Sequence, residues 1–153
     1  MKKQNIKSKK GFTIIEVVLV LAIAGLIFLM VFVALPALQR SQRDSQRRQD
    51  YSNLQAAVIS AAANHDGRVT ESGLSRFSMN KDGQDPDGTN YNINLDEENI
   101  PNQPDFGEVY VNVGRECGEV SGTPESNEDT PSTSFTVYAR LESGTYCQTG
   151  SLR

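Results

Sequence analysis

The chain has 153 residues, enough for one ordinary domain plus an attached segment, and its two parts differ sharply in composition. From Phe12 to Leu38 the only charged residue is Glu16, whereas from Gln39 onward the chain is polar and rich in Gly, Ser, Thr, Asn and Asp. The formal charge is −4, but residues 1–11 hold five lysines and no acid, and from His65 onward six basic residues face 16 acidic ones. An acidic region of this kind excludes broad contact with nucleic acid, which is held mainly through Lys and Arg, and favours solubility at a cell surface.

Taken in chain order, MKKQNIKSKKG is a short basic leader followed by an apolar run. A secretory signal peptide would have a shorter apolar core and a small-residue cleavage site after it, and here LQRSQRDSQRRQD follows instead. A plain signal anchor is the second reading, since about 20 apolar residues cross a bilayer and the basic start predicts that end inside. Two details lie outside it: Gly11 at the join, and Glu16 within the span. A carboxylate in lipid costs a few kcal/mol or more and usually has a partner. Cutting after Gly11 would place a new α-amine on Phe12, mostly cationic at neutral pH. Glu16 could then pair with that amine on a neighbouring chain and fix axial register, because an unpaired charge in a low-dielectric bundle is costly.

Lys10-Gly11-Phe12-Thr13-Ile14-Ile15-Glu16 resembles the prepilin peptidase motif of type IV pilins and type II secretion pseudopilins. The resemblance covers about the first 60 residues and implies cleavage after Gly11, N-methylation of Phe12 and a role for Glu16 in assembly. It also implies self-association through the N-terminal helices, with a prepilin peptidase, an assembly platform and an ATPase as partners. The expected course is a single-pass precursor in the cytoplasmic membrane, head outside, that becomes part of a surface filament.

Within the apolar run, Gly25 and Pro36 weaken a helix, by about 1 and 3 kcal/mol respectively. Membrane helices tolerate both. The resemblance adds a second reading, in which the stretch between them can lose helicity inside a filament. Beyond Pro36 the spacing of Tyr51, Leu54, Ala57, Val58, Ala61 and Ala62 predicts an amphipathic continuation that stops near Asn64-His65-Asp66-Gly67. The arginines at 40, 43, 47 and 48 read as a solvated face with some attraction to anionic lipid, or as a surface complementary to the acidic heads of stacked subunits.

In the remaining part, residues 65–105 read as turns with a weak strand at Tyr91–Leu95, and Phe106–Val113 and Ser134–Leu141 alternate as half-buried strands. Cys117 and Cys147 follow those two strands, and a pair in a small exported domain is expected to be a disulfide. The expected organisation is a leader at 1–11, a transmembrane or filament-core helix at 12–38, its amphipathic continuation at 39–64 and an acidic head at 65–153. The fold class is α+β, a long N-terminal helix against a small antiparallel sheet.

Chemistry beyond assembly finds little footing. Asp82, Asp85 and Asp87 make an oxygen-rich stretch that could take calcium, but the spacing of an EF-hand is missing and D-P and D-G are turn dipeptides. No zinc spacing, G-x-S-x-G or P-loop pattern occurs, and the one histidine, His65, sits at a helix end, so neither an enzyme nor a cofactor is expected. The reading is a structural filament subunit. A secretion pseudopilin, a minor or competence pilin, and a membrane-anchored extracellular binding domain that never polymerises are the alternatives.

Overall fold

The computed structural model describes residues 11–79, 83–96, 98–118, 123–125 and 131–152. Its main element is helix α1, Ile14–Asn64, which runs through Pro36. The chain divides into two compact units, residues 1–39 and 40–153, so α1 contributes to both. In the first unit every large apolar side chain from Phe12 to Leu38 is exposed. The helix is long and apolar enough to cross a membrane.

The second unit is built around the rest of α1. Tyr51, Leu54, Val58 and Ala61 recur at helical spacing and are buried. The helix ends where Gly67 donates its N–H to the Ala62 carbonyl at 2.8 Å, six residues closing back on one as in a Schellman cap. The left-handed residue in the cap position is Asp66 (φ 52°), followed by Gly67 (φ 84°), so Gly67 is not the sole left-handed residue of the stop.

A second helix, α2, Glu71–Met79, lies in a region that the sequence pattern presents as turns. Thr70 caps it, its hydroxyl oxygen accepting the Gly73 N–H at 3.2 Å. A Cβ on Gly73 would stand 2.8 Å from the Ala61 Cβ, so glycine marks the closest approach of α2 to α1. Leu74 and Phe77 complete the contact with the core. Nine residues containing a glycine carry little intrinsic helical preference; packing makes this helix.

Among the described residues six strands follow: β1 Asn92–Leu95, β2 Glu108–Val113, β3 Glu116–Cys117, β4 Pro124–Glu125, β5 Ser134–Leu141 and β6 Gly144–Ser151. The main sheet has the order β1-β2-β5-β6. It is mixed, which corrects the expected antiparallel sheet: β2–β5 and β5–β6 are antiparallel, but β1 pairs with β2 in parallel from Asn92↔Glu108 to Leu95↔Val111. About a dozen residues are needed for a parallel crossover, and the segment between these two strands is of that length. Phe106 lies in the turn before β2, outside the strand expected to begin there. Strand β6 also departs from expectation. Its sequence, GTYCQTGS, has no apolar alternation, and it is a strand because β5 offers it an eight-residue ladder from Leu141↔Gly144 to Ser134↔Ser151.

One sheet face packs Val109, Val111, Phe135, Val137, Ala139 and Leu141 against α1 and α2. Strands β3 and β4 form a separate two-stranded ladder. Cys117 of β3 is bonded to Cys147 of β6, 30 residues on, and the Cys117 N–H donates to the Thr149 hydroxyl oxygen at 3.0 Å. Closing a loop of that length stabilises the fold by about 3–4 kcal/mol through lost chain entropy in the unfolded state. Replacing both cysteines by serine is expected to lower the unfolding free energy of the second unit by about that amount, measured by urea titration monitored through tyrosine fluorescence.

Candidate functional site

Around the N-terminus of α1, Gly11 is exposed and a Cβ there would meet nothing within 4 Å. Phe12 is 85% exposed. Helix α1 begins as the Thr13 carbonyl accepts the N–H groups of Glu16 and Val17 at 3.1 and 3.3 Å. Glu16 falls in the first turn, where four N–H groups lack intrahelical partners and a negative charge meets the positive end of the helix dipole. Phe12 and Glu16 line one groove together with Val17, Val20 and Leu21. Gly25 and Pro36 lie within the continuous helix.

The exposed apolar surface sets the energetic problem. Each large apolar side chain is worth about 1.5–3 kcal/mol when removed from water. The run from Phe12 to Leu38 therefore carries tens of kcal/mol of unfavourable exposure until lipid or other helices cover it.

Of the arginines in the first turns of α1 within the second unit, Arg40 and Arg48 are exposed as a solvated face requires, but Arg43 is half-buried and Arg47 is buried. Arg47 is buried, its side chain 4% exposed, and donates Nε and NH2 to the two oxygens of Asp85 at 2.7 and 2.8 Å. The Asp85 side chain is fully buried. Arg47 also reaches Glu142 at 3.3 Å, and Arg43 makes a two-point contact with the same carboxylate. Asp44 accepts the backbone N–H groups of Glu142 and Ser143 at 2.7 and 2.9 Å, the two residues of the tight turn between β5 and β6. Phe106 carries both the Arg47 and the Arg140 guanidinium on its ring, at 4.7 and 4.3 Å from the centroid. Further along, Tyr91 donates to Asp50 at 3.1 Å and packs on Tyr51, which also touches Tyr146.

This polar latch ties one helix face to two loops, 85–89 and 142–143. Residues 43, 44, 47, 50, 51, 54 and 58 are one stripe at helical spacing. The apolar end of that stripe is readable from the sequence; its charged end looks like solvent-facing surface, because nothing local shows that Asp85 and Glu142 come to meet it. The Arg43 guanidinium is the chief cause that holds the Glu142 carboxyl below its ordinary range. Burial pushes the Asp44 carboxyl up, and hydrogen bonds from Ser143 and Glu142 outweigh it and hold it below its ordinary value. The hydrogen bond to Asp85 is the main cause that raises Arg47.

Of the oxygen-rich stretch, Asp82 lies outside the described residues. Asp85 has both oxygens on Arg47, and Asp87 accepts the Thr89 N–H and hydroxyl at 3.1 and 2.8 Å. Among the described residues no group of three or more His, Cys, Asp or Glu is gathered to hold a metal ion.

Residues 6–32 match the family model of the prokaryotic N-terminal methylation motif. The chain therefore carries a class III signal peptide at the head of a helix that can anchor it in a membrane. That signal is the one of type IV pilin-like and pseudopilin precursors, a motif family that is structural and whose signal implies processing by a prepilin peptidase. No curated protein and no solved structure matches the chain.

Two outcomes test the latch. Asp85→Ala leaves the buried Arg47 without its main partner and is expected to lower stability by about 3–5 kcal/mol, read as a drop in the melting temperature of the detergent-solubilised chain. Asp44 and Glu142 are held below their ordinary values, so their contribution is complete above about pH 5 and is lost as the pH falls through about 4 and below. Melting curves between pH 7 and pH 3 should show this loss, and Asp44→Asn should show less of it.

Proposed function

We propose that this chain is the precursor of a structural subunit of a type IV pilus-like surface filament, activated by cleavage between Gly11 and Phe12. The observation that carries the reading is the groove lined by Phe12 and Glu16 on a helix whose large apolar side chains from Phe12 to Leu38 are all uncovered, inside a matched methylation motif. Nothing around Gly11 requires glycine for the sake of this chain's own packing, since a Cβ would meet open space. The open space leaves the backbone at Gly11 accessible to an enzyme that cuts there, a prepilin peptidase.

The mechanism is a change of partner. Before cleavage, the apolar helix is covered by lipid and the lysine-rich leader stays on the cytoplasmic side. Cleavage removes five positive charges and places a cation on Phe12, beside which a neighbour's Glu16 can enter the helix bundle as half of an ion pair. Covering apolar side chains by other helices instead of lipid changes little in hydrophobic energy; packing and the ion pair decide register and direction. The stretch from Gly25 to Pro36 is the place where a bundled helix would open under tension, because there the helix is weakened at both ends. An assembly ATPase and a membrane platform would supply the work of extraction. The acidic head remains outside.

Mass spectrometry of surface filaments sheared from cells should find this chain beginning at N-methylated Phe12. Glu16→Ala should leave the cleaved protein in the membrane and reduce filament yield by more than about tenfold, the loss expected when one partner of a pair is left charged in a low-dielectric bundle. Filaments at wild-type number from the Glu16→Ala protein would refute the assembly role. Cleavage and methylation without any surface filament would move the reading to a short periplasmic pseudopilin assembly.

A further inference from the structure

The main sheet ends in β6 on one side and in β1 on the other, and among the described residues no further strand joins either edge. Three bonds settle which way the backbone groups of these strands point. Leu152 donates its N–H to the Thr133 carbonyl at 2.9 Å, one step beyond the Ser134↔Ser151 pair. Bonded and non-bonded pairs alternate along an antiparallel ladder. Tyr146 and Gln148 therefore face β5, while Thr145, Cys147 and Thr149 present their N–H and C=O groups outward. In β1, Asn92 and Asp96 donate to the Gly107 and Val111 carbonyls at 2.8 and 2.9 Å, which turns the groups of Ile93 and Leu95 outward. Tyr91, just before the strand, gives its N–H to Gly83 at 2.9 Å, so the free stretch begins at Ile93. No described residue bonds to the outward backbone groups of these five residues. Strand β3 approaches β5 as well as β6, so it lies over the sheet face away from α1 rather than along the edge.

Edge strands are commonly guarded against pairing by charge or proline. Residues 144–151 contain neither, in a head where 16 acidic residues face six basic ones from His65 onward. Residues 92–95 are uncharged too. Heads of like charge approach at least cost where neither carries charge. Strand direction then selects the partner. β1 runs with β2, β5 against β2 and β6 against β5, so β1 and β6 run the same way. A copy repeated without inversion therefore brings its β1 to β6 in parallel. The sheet faces agree. Ile93, Leu95 and Tyr146 all pack on the core, so their side chains leave from the α1 side. In a parallel pair an outward-facing residue stands opposite one that bonds toward it, as Ile93 stands opposite Val109 within the chain. A parallel joining thus sets Ile93 opposite Tyr146 or Gln148 and keeps both α1-packed faces on one side. An antiparallel joining would set it opposite Thr145, Cys147 or Thr149 and put the two helices on opposite faces.

We infer that β6 of one subunit takes β1 of a second copy of this chain as an added parallel strand, so that the main sheet continues from head to head. The contact is heterologous and repeats in one direction, as an open filament requires, whereas β6 on β6 would close after two copies. From β1 it uses the N–H and C=O groups of Ile93 and Leu95, from β6 those of Thr145, Cys147 and Thr149. Such a contact is too small to hold two heads by itself. Once bundled helices keep the heads together, the effective concentration is high enough for it to form and to fix the register of one head on the next. The inference rests on the filament reading proposed above.

The test compares amide hydrogen exchange, resolved to single residues by fragmentation, in sheared filaments and in the detergent-solubilised full-length chain. The amides of Ile93, Leu95, Thr145, Cys147 and Thr149 are expected to exchange about tenfold or more slowly in the filament than in the solubilised chain. Thr145→Pro removes one outward N–H and spares the ladder to β5, so it should leave the melting temperature of the solubilised chain unchanged and lower filament yield roughly fivefold or more. Filaments in which these amides exchange as fast as in the solubilised chain overturn the inference and leave the filament reading standing. Protection of β6 without β1 overturns the choice of partner, and protection already present in the solubilised chain overturns the open edges. Wild-type filament yield from Thr145→Pro also overturns the inference; if that variant melts lower than the parent, the exchange measurement decides. A processed chain that enters no filament overturns the filament reading and the strand contact with it.

Discussion

One helix has to serve two environments, and the rest of the molecule follows from that constraint. Over its first part α1 is apolar on every side, so no globular domain can cover it, and lipid or a bundle of like helices is required. Over its second part it is one-sided, and a sheet and a short helix grow on that side. The passage from one regime to the other falls at the residues from Leu38 to Asp44, where continuous apolar surface gives way to alternating charge.

The latch stands immediately after that passage. Asp44, Arg43 and Arg47 hold the β5–β6 turn and the loop at Asp85 by hydrogen bonds between charged groups. Buried ion pairs add little net stability compared with apolar packing, yet removal of one partner is severe. Their value here is positional. A sheet with a small apolar core can slide on a smooth helix face, whereas a two-point Arg–Asp contact and a doubly held turn allow one register. The Cys117–Cys147 disulfide adds a covalent tie between β3 and β6.

The methylation motif at residues 6–32 was legible, because its information is local. Gly11, Phe12 and Glu16 stand within six residues, and the apolar run behind them is continuous. The disulfide was also legible, since two cysteines allow one pairing. Helix α2 and strand β6 were not. Leu74 and Phe77 show too short a pattern to name a helix, and the polar residues of β6 follow the ladder that β5 provides. The parallel run of β1 beside β2 depends on how a loop crosses over, which side-chain alternation does not encode.

The sequence by itself determined the apolar run with its single charge at Glu16 and the one-sided face from Tyr51 to Ala62. All of these are read from residue type and spacing along a single helix, where neighbours in space are neighbours in sequence. Only the tertiary structure decided what the arginines at 43 and 47 do. Their partners stand 38 to 99 residues away along the chain, and a charge that looks solvated beside its neighbours becomes buried when folding brings Asp85 and Glu142 onto it.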